Sequence, residues 1–130
     1  MAAVTPHAVG HEALGPLESR YVTIADLPWQ PMPWPGIEQK ILLQDQETGL
    51  TTALIRMAPG SELPDHEHTA TEQTYVLEGR LVDDHGAVTA GNYVWRPAGS
   101  GHAARAPEGA LILAFLMAPN RFRYSRPNTG

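Results

Sequence analysis

The chain has 130 residues, a length typical of a single domain. Its 12 glycines and 12 prolines exceed the combined average of about 12 per cent for these two residue types. Hydrophobic residues make up 42% of the sequence, which is enough for a packed core. The surplus of turn-forming residues favours many short strands and argues against a helical bundle.

Charge and cysteine content exclude several classes of protein. The formal net charge is −5 and the nine basic residues are scattered, so we expect no nucleic-acid binding. The absence of cysteine excludes disulfides, thiolate nucleophiles and zinc–thiolate sites, and it agrees with a reducing compartment. Residues Met1–Arg20 lack the basic start and apolar stretch of a signal peptide. The longest apolar run, Ala110–Ala118, has about half the length of a membrane span, so we expect a cytoplasmic protein without membrane contact.

The N-terminal third is rich in residues that interrupt regular structure. We expect residues 1–20 to form an arm or a poorly ordered tail, and residues 21–130 to form one domain. Tyr21–Ala25 has the composition of a short strand. Pro28–Gly36 contains four prolines, which remove four backbone donors and exclude a central strand or a helix. This segment should run extended over the surface, with Trp29 and Trp34 covering apolar area.

The rest of the chain reads as short strands separated by turn residues. This spacing predicts an all-β sandwich or barrel, since no helical periodicity of 11–18 residues competes with it. Gly79 divides one of these strand-forming stretches into two. The predicted strands are Ile37–Asp45, Leu50–Met57, Gln73–Glu78, Arg80–Asp83, Ala87–Thr89, Asn92–Arg96 and Ala110–Met117.

Three histidines and a glutamate form the most informative pattern. Side chains alternate between the two faces of an extended chain, so His66 and His68 point to the same side. Glu72 joins them if the alternation holds through the short link, and a turn at Pro97–Gly99 positions His102 as a third imidazole. Such a set suits a divalent metal. The alternative is a solvent-facing strand, because the neighbouring side chains are polar.

The two stretches resemble the two motifs of the cupin superfamily. The first motif, G-x5-H-x-H-x3–4-E-x6-G, is satisfied at every position from Gly60 to Gly79. The second, G-x5-P-x-G-x2-H-x3-N, is satisfied from Gly91 to His102, but Ala106 stands where the motif has Asn. Softer similarity in the flanks points to the cupin domain of ChrR-type anti-sigma factors and to small cupin dioxygenases that cleave diketones or hydroxyacetophenones.

This resemblance implies a cupin (RmlC-like) jelly-roll barrel with a metal inside its mouth. It assigns His66, His68, Glu72 and His102 as metal ligands. It also implies a homodimer, since cupins usually pair with one another. Asp65, Glu67, Thr74, Glu78 and Arg96 are candidate hydrogen-bond partners for the ligands.

The first functional hypothesis is a non-haem Fe(II) dioxygenase that acts on a small keto or phenolic compound. Zn, Ni, Mn or Co would suit the same ligands. One alternative is a non-redox metal-dependent isomerase, lyase or hydrolase. Another is a non-catalytic cupin that binds or senses a metal or a small ligand. Weaker candidates for the substrate pocket are Arg56 and Arg96, as anchors for an anion, and Tyr93, Trp95, Leu113, Phe115 and Met117, as its apolar walls.

Overall fold

The computed structural model describes residues 3–122 and consists almost entirely of antiparallel strands. Two single 3₁₀ turns, His11–Ala13 and Ile24–Asp26, are the helical elements of this range. No helix among these residues is long and apolar enough to cross a membrane. The strands are β1 Ala3–Val4, β2 Gln30–Pro31, β3 Ile37–Asp45, β4 Thr51–Met57, β5 Ser61–Glu67, β6 Glu72–Asp83, β7 Gly86–Thr89, β8 Tyr93–Arg96, β9 Gly101–Ala106, β10 Ala110–Leu116 and β11 Arg121–Phe122.

The strands form two sheets that share β6 and curl around a common interior. One sheet has the order β1-β3-β4-β10-β6-β8, with β2 beside β3. The other contains β11, β5, β9, β6 and β7. The first part of β6 pairs with β8 and β10, and its last residues pair with β7 and β9. The all-β barrel predicted from the turn spacing is confirmed.

Gly79 is the point at which β6 passes from one sheet to the other. Its φ of 75° is in the left-handed region, and a Cβ on it would lie 2.1 Å from the carbonyl oxygen of Gly109. The side-chain alternation changes phase here. Val76 and alternate residues before it face inward, whereas Leu81 and Asp83 face inward after it. Both ends of β6 therefore contribute side chains to the interior.

The core combines large side chains at one end of the barrel with small ones around the interior. Trp34, Ile37, Met57 and Val76 are buried, and the Trp34 ring lies 4.7 Å from that of Phe122. Trp34 is thus part of the core rather than a cover on its surface. The small core residues are Ala104, Ala106 and Ala110, and Ala114 is buried as well.

The proline-rich segment behaves largely as its composition predicts. Its two-residue strand β2 lies at the edge, where Pro31 pairs with Glu38. Trp29 is half-buried and contacts two cations, with Lys40 Nζ 4.8 Å and Arg56 Cζ 4.0 Å from its ring centroid. The segment therefore lines the outside of the barrel and supplies Trp34 to its core.

The N-terminal region contacts the barrel and lacks one of its predicted strands. The predicted arm is tied to the barrel, because β1 pairs with β3 and the buried Thr5 donates from Oγ1 to the Leu42 carbonyl at 2.6 Å. The predicted strand at Tyr21–Ala25 is wrong. A 3₁₀ turn begins at Ile24, whose carbonyl accepts a hydrogen bond from Lys40 Nζ at 2.9 Å, and this contact from β3 outweighs the local strand propensity.

Candidate metal centre

Three histidines meet inside the barrel from two neighbouring strands. His66 on β5 lies directly opposite His102 on β9. A register shift between Leu63 and His66 changes the alternation of side chains along β5. As a result, Leu63 and His66 both face the interior although they are three residues apart. His68 follows β5 and is held in register, because its N–H donates to the Ser100 carbonyl at 2.8 Å and its carbonyl accepts from Gly99 N at 2.7 Å.

The three imidazoles are buried and close together. Their ring centroids are separated by 4.6 Å for His66 and His102, 4.9 Å for His66 and His68, and 5.0 Å for His68 and His102. One ring nitrogen of each lies within 4.8 Å of the others. Their exposed fractions are 1%, 0% and 9% in chain order. The solvent-facing alternative for these histidines does not describe the structure.

The hydrogen bonds of the rings define which nitrogen atoms can bind a metal. His66 Nδ1 donates to the Pro64 carbonyl at 2.8 Å, and His68 Nδ1 donates to Asn120 Oδ1 at 3.0 Å. Within residues 3–122, His68 Nε2 and both ring nitrogens of His102 are buried without a hydrogen-bond partner. Leaving such a group unsatisfied costs about 1–3 kcal/mol. A divalent cation bound by the three rings would satisfy His68 Nε2 and one ring nitrogen of His102, so the residues fit a metal.

The same surroundings keep His68 and His102 neutral. Burial, followed by the His66 charge, lowers the pKa of His68 to about 4, although the hydrogen bond to Asn120 opposes this. Burial and the nearby Arg96 lower the pKa of His102 to about 3. Neutral imidazole is the form that donates a lone pair to a metal.

Glu72 lies beside the histidine cluster and faces the same interior. Its Oε1 is 3.6 Å from His68 Nδ1 and 4.0 Å from Arg96 Nε. Burial raises the pKa of its carboxyl to about 7, while Arg96 and a hydrogen bond from Asn120 act in the opposite direction. Among the described residues, the group whose ligand atoms lie close enough to share one ion consists of the three histidines alone. The structure thus brings the fourth predicted ligand close to the cluster without placing it in that group.

Asp83 links the cluster to Arg96 and was not among the residues predicted from the sequence. Arg96 Nη1 donates to Asp83 Oδ2 at 2.8 Å, and His102 Nδ1 lies 3.3 Å from the same oxygen. The N–H groups of His85 and Gly86 donate to Asp83 Oδ1. Burial would raise the pKa of Asp83, but these backbone donors together with Arg96 and His102 lower it. Asp83 is therefore an anion that holds both Arg96 and the His102 side of the site.

Asn120 is the second site residue that sequence reasoning did not find. It lies between β10 and β11, 52 residues from its partner His68. Three of the predicted ligand partners bond elsewhere or are exposed: Arg96 pairs with Asp83, Glu67 lies 3.7 Å from Arg121, and Glu78 is exposed. The change of alternation at Gly79 is the signal that points to Asp83, and no local signal points to Asn120.

The histidines border a small cavity of about 40 Å³. Two histidines, His66 and His102, line it together with Glu72, Arg96 and apolar side chains. Those apolar side chains are Ile37, Ile55, Met57, Leu63, Leu81, Ala104, Ile112 and Ala114, with Thr74 beside them.

Of the residues predicted from the sequence to line the substrate pocket, Arg96 lines this cavity. Arg56 lies on the outside, where its Nη2 contacts Glu38 Oε1 at 2.6 Å. On β10 the cavity is lined by Ile112 and Ala114, since alternate residues face opposite sides. The remaining candidates lie outside the lining of this cavity: Tyr93, Trp95, Leu113, Phe115 and Met117. Of these, Tyr93, Trp95 and Met117 are exposed.

Comparison with solved structures shows the same fold in proteins of several descriptions. An acetylacetone dioxygenase from Acinetobacter johnsonii is 21% identical, with a TM-score of 0.77 over 86% of this chain and 83% of that one. The polyketide cyclase RemF from Streptomyces resistomycificus is 18% identical, with a TM-score of 0.66 over 83% and 87% of the two chains. The complex of Rhodobacter sphaeroides SigE with the anti-sigma ChrR contains a chain that is 25% identical, with a TM-score of 0.63 over 72% of this chain and 51% of that one.

A search of curated protein sequences finds no match. The family model described as the ChrR cupin-like domain matches residues 17–119, which include both histidine motifs and all strands from β2 to β10. The jelly-roll barrel and the motif spacing agree with this match. The chain belongs to the ChrR cupin-like domain family of RmlC-like cupins.

Proposed function

We propose that this chain is an Fe(II)-dependent dioxygenase that acts on a small keto compound of the diketone type or on a hydroxyacetophenone. His66, His68 and His102 would hold the metal. The observation that carries the proposal is the buried cluster of three imidazoles, whose ring nitrogens lie within 4.8 Å of one another at the edge of an apolar cavity. Similarity of fold to an acetylacetone dioxygenase supports the choice of reaction.

The donor set favours a metal with open coordination positions. Three imidazoles, with no thiolate in the chain, suit Fe(II), Zn(II), Ni(II), Mn(II) or Co(II). Bound Fe(II) would supply positions for both oxygens of a chelating substrate and for dioxygen. Iron is our choice among these metals because the proposed reaction is an oxidation.

The cavity wall would orient the substrate and exclude water. Ile37, Leu81 and Ile112 supply apolar surface, and the Arg96 guanidinium, held by Asp83, would face the anionic oxygen of an enolate or phenolate. Glu72 lines the same cavity, so its carboxylate is placed to accept the proton that a diketone loses as it becomes an enolate. The cavity of about 40 Å³ is much smaller than the roughly 300–1,000 Å³ of a typical ligand pocket, so a substrate would lie only partly within it.

Two further functions have observations in their favour. The fold of a polyketide cyclase supports a non-redox metal enzyme, such as an isomerase, lyase or hydrolase. Membership of the ChrR cupin-like family, with 25% identity to a chain in the complex of SigE with anti-sigma ChrR, supports a cupin that binds or senses a metal or small ligand without turnover. A cytoplasmic location and the absence of a nucleic-acid partner stay predictions.

Metal content and oxygen consumption together test the proposal. The protein would be purified without oxygen, its metals quantified, and its oxygen uptake followed with β-diketones, hydroxyacetophenones and catechols. We expect one iron per chain and uptake that depends on a diketone or hydroxyacetophenone. Uptake should be lost in His102→Ala and kept in His7→Ala, which replaces an exposed histidine.

The other outcomes separate the alternatives. Zinc or nickel in the purified protein, together with no oxygen uptake after loading with iron, would overturn the dioxygenase proposal and favour non-redox chemistry. Tight binding of a panel compound without any turnover, whichever metal is loaded, would favour the sensing function.

A further inference from the structure

We infer that Asn120 is a positioning residue of the metal centre: it orients His68 and holds Glu72 aside, so that the metal is bound by three histidines. The inference rests on the metal site of the proposed function. In that site, Asn120 would be the residue that keeps Glu72 from becoming a fourth ligand. Asn120 lies outside both histidine motifs, in the connection between β10 and β11.

The first contact fixes which nitrogen of His68 faces the other imidazoles. His68 is fully buried, and its Nδ1 lies 3.0 Å from Asn120 Oδ1. An amide oxygen only accepts hydrogen bonds, so Nδ1 carries the hydrogen and Nε2 carries the lone pair. Nε2 is buried and has no hydrogen-bond partner within residues 3–122. The amide therefore presents His68 as a ligand through Nε2.

The second contact concerns the carboxylate that the motif offers as a fourth ligand. Glu72 Oε1 lies 3.6 Å from the same His68 Nδ1 that bonds to Asn120 Oδ1, so the amide and the carboxylate meet at this nitrogen. Because the amide oxygen already accepts from His68, the amide NH₂ is the group that can donate to the carboxylate. Arg96 Nε lies 4.0 Å from Glu72 Oε1. Glu72 is thus held by Asn120 and Arg96 beside the cluster.

The connection that carries Asn120 is anchored on both sides. Thr69 donates from Oγ1 to the Pro119 carbonyl at 2.6 Å. On the other side, β11 pairs with β5, with Phe122 opposite His66. These anchors belong to the same strand and turn that carry His66 and His68, so the amide keeps a fixed position relative to the ligands.

An amide is the side chain that meets both demands at once. An ionised aspartate would accept from His68 but would not donate to Glu72, and a leucine would do neither. The variants Asn120→Asp and Asn120→Leu therefore separate the two contacts.

The first test measures metal binding without substrate or turnover. Co(II) affinity would be determined by competition with a chromogenic chelator, and the visible absorption of the bound Co(II) would be recorded. We expect Asn120→Leu to weaken Co(II) binding about 10–100-fold, the loss usual when a ligand's hydrogen-bond partner is removed. Asn92→Leu is the matched control, since it makes the same substitution at an exposed asparagine that bonds to Thr89 and Ala90 away from the histidines, and its affinity should stay within threefold of the wild type. An equal loss in both variants, or no loss in Asn120→Leu, would overturn the role of Asn120 in orienting His68.

The second test concerns Glu72 and also decides the question if Asn120→Leu does not fold. Asn120→Asp keeps the acceptor for His68 and repels the Glu72 carboxylate. We expect the protein to bind Co(II) with weaker visible absorption, because a released Glu72 raises the coordination number. Adding Glu72→Gln to this variant should restore the wild-type spectrum. A spectrum unchanged in Asn120→Asp, or not restored in the double variant, would contradict the inference.

These results are independent of the dioxygenase proposal. Wild-type protein that binds metal but consumes no oxygen would overturn the proposed function and leave the Co(II) measurements interpretable. Conversely, unchanged Co(II) binding in the Asn120 variants, with normal oxygen uptake by the wild type, would overturn the role of Asn120 alone.

Discussion

His66 and His102 face each other directly across β5 and β9, and their ring centroids are 4.6 Å apart. Both ring nitrogens of His102 are buried without a hydrogen-bond partner among residues 3–122, which is costly in an apolar interior. His68 adds a third ring within 5.0 Å of both. The cluster therefore destabilises the metal-free fold, which is expected where a bound cation would offset this loss of stability.

Removal of a single imidazole should release the metal. We expect His68→Ala and His102→Ala to retain less than a tenth of the wild-type metal content after dialysis, because two remaining imidazoles bind a divalent ion far more weakly than three. Metal analysis of the purified proteins measures this. His7→Ala should keep full occupancy, since His7 is exposed and outside the cluster. Full occupancy in both site variants would show that the metal binds elsewhere.

Metal binding should also stabilise the barrel. A ligand that binds only the folded state adds about 2.7 kcal/mol at a free concentration of 100 times its Kd. We expect the midpoint of thermal unfolding to fall when the metal is removed by a chelator and to recover on adding it back. In His102→Ala the midpoint should not respond to metal. A wild-type midpoint that is insensitive to chelation would contradict the assignment of these histidines as ligands.

Neutralising Asp83 should destabilise the protein. Asp83 and Arg96 are largely buried, with exposed side-chain fractions of 5% and 15%, and removing one partner of a buried pair leaves the other charge uncompensated. We expect Asp83→Asn to lower the free energy of unfolding of the metal-free protein by about 3–5 kcal/mol, measured by urea denaturation. The control is Glu108→Gln, which breaks the exposed ion pair with Arg80 and should cause no resolvable change. Equal stability of both variants would mean that Asp83 does not balance Arg96.

The spacing of residues that are close in sequence was sufficient to predict that the three histidines come together. His66 and His68 share a face because alternation has a period of two, and the motif glycines and proline bring His102 opposite them. The strands Ile37–Asp45 and Ala110–Leu116 also follow from local composition, to within a residue. These features depend on residues that are close in sequence.

The residues that were missed depend on irregularities or on distant contacts. Asp83 faces the interior only because the alternation of β6 changes phase at Gly79. Asn120 reaches His68 because the chain returns past β5 after 52 residues. The pocket wall was assigned to the wrong side of β10 for a related reason, since the pairing with β4 and β6 decides that Ile112 and not Leu113 faces inward. Alternation predicts which residues share a face but not which face is buried.

Gly79 should tolerate no side chain. In Gly79→Ala the new Cβ would lie 2.1 Å from the Gly109 carbonyl oxygen, and the left-handed backbone adds strain of about 1–2 kcal/mol. We expect a loss of at least about 3 kcal/mol in the free energy of unfolding, or failure to fold, because the clash adds to that strain. Gly86→Ala is the control, as a Cβ there meets no atom within 4 Å among the described residues and the backbone is not left-handed. Similar stability of the two variants would show that the bend in β6 relaxes freely.

Three side chains first predicted to line the pocket, Tyr93, Trp95 and Met117, are instead exposed on the outside of the sheet together with Tyr75 and Leu77, and this face suits a second copy of the chain. Tyr75, Tyr93 and Trp95 are 38%, 51% and 58% exposed on neighbouring strands, with Tyr93 opposite Tyr75. Since each aromatic side chain offers about 150–250 Å², these three and the adjacent Leu77 and Met117 expose roughly 400 Å², within the range of functional surface patches. When two such faces meet, the surface that they and the residues around their edges bury would approach the roughly 1,000 Å² that a specific interface needs.

We therefore expect a homodimer that forms through this face, with Trp95→Ser and Tyr93→Ser shifting the protein to a monomer. Light scattering coupled to size-exclusion chromatography gives the mass of each variant. Tyr21→Ser is the matched control, because Tyr21 is 87% exposed but lies outside the face, and it should remain dimeric. A monomeric wild type would contradict the prediction of a homodimer, whereas a dimer that persists in both face variants would place its interface on another surface. Substitution here should leave the metal content unchanged, since Trp95 and Tyr93 point away from the histidines.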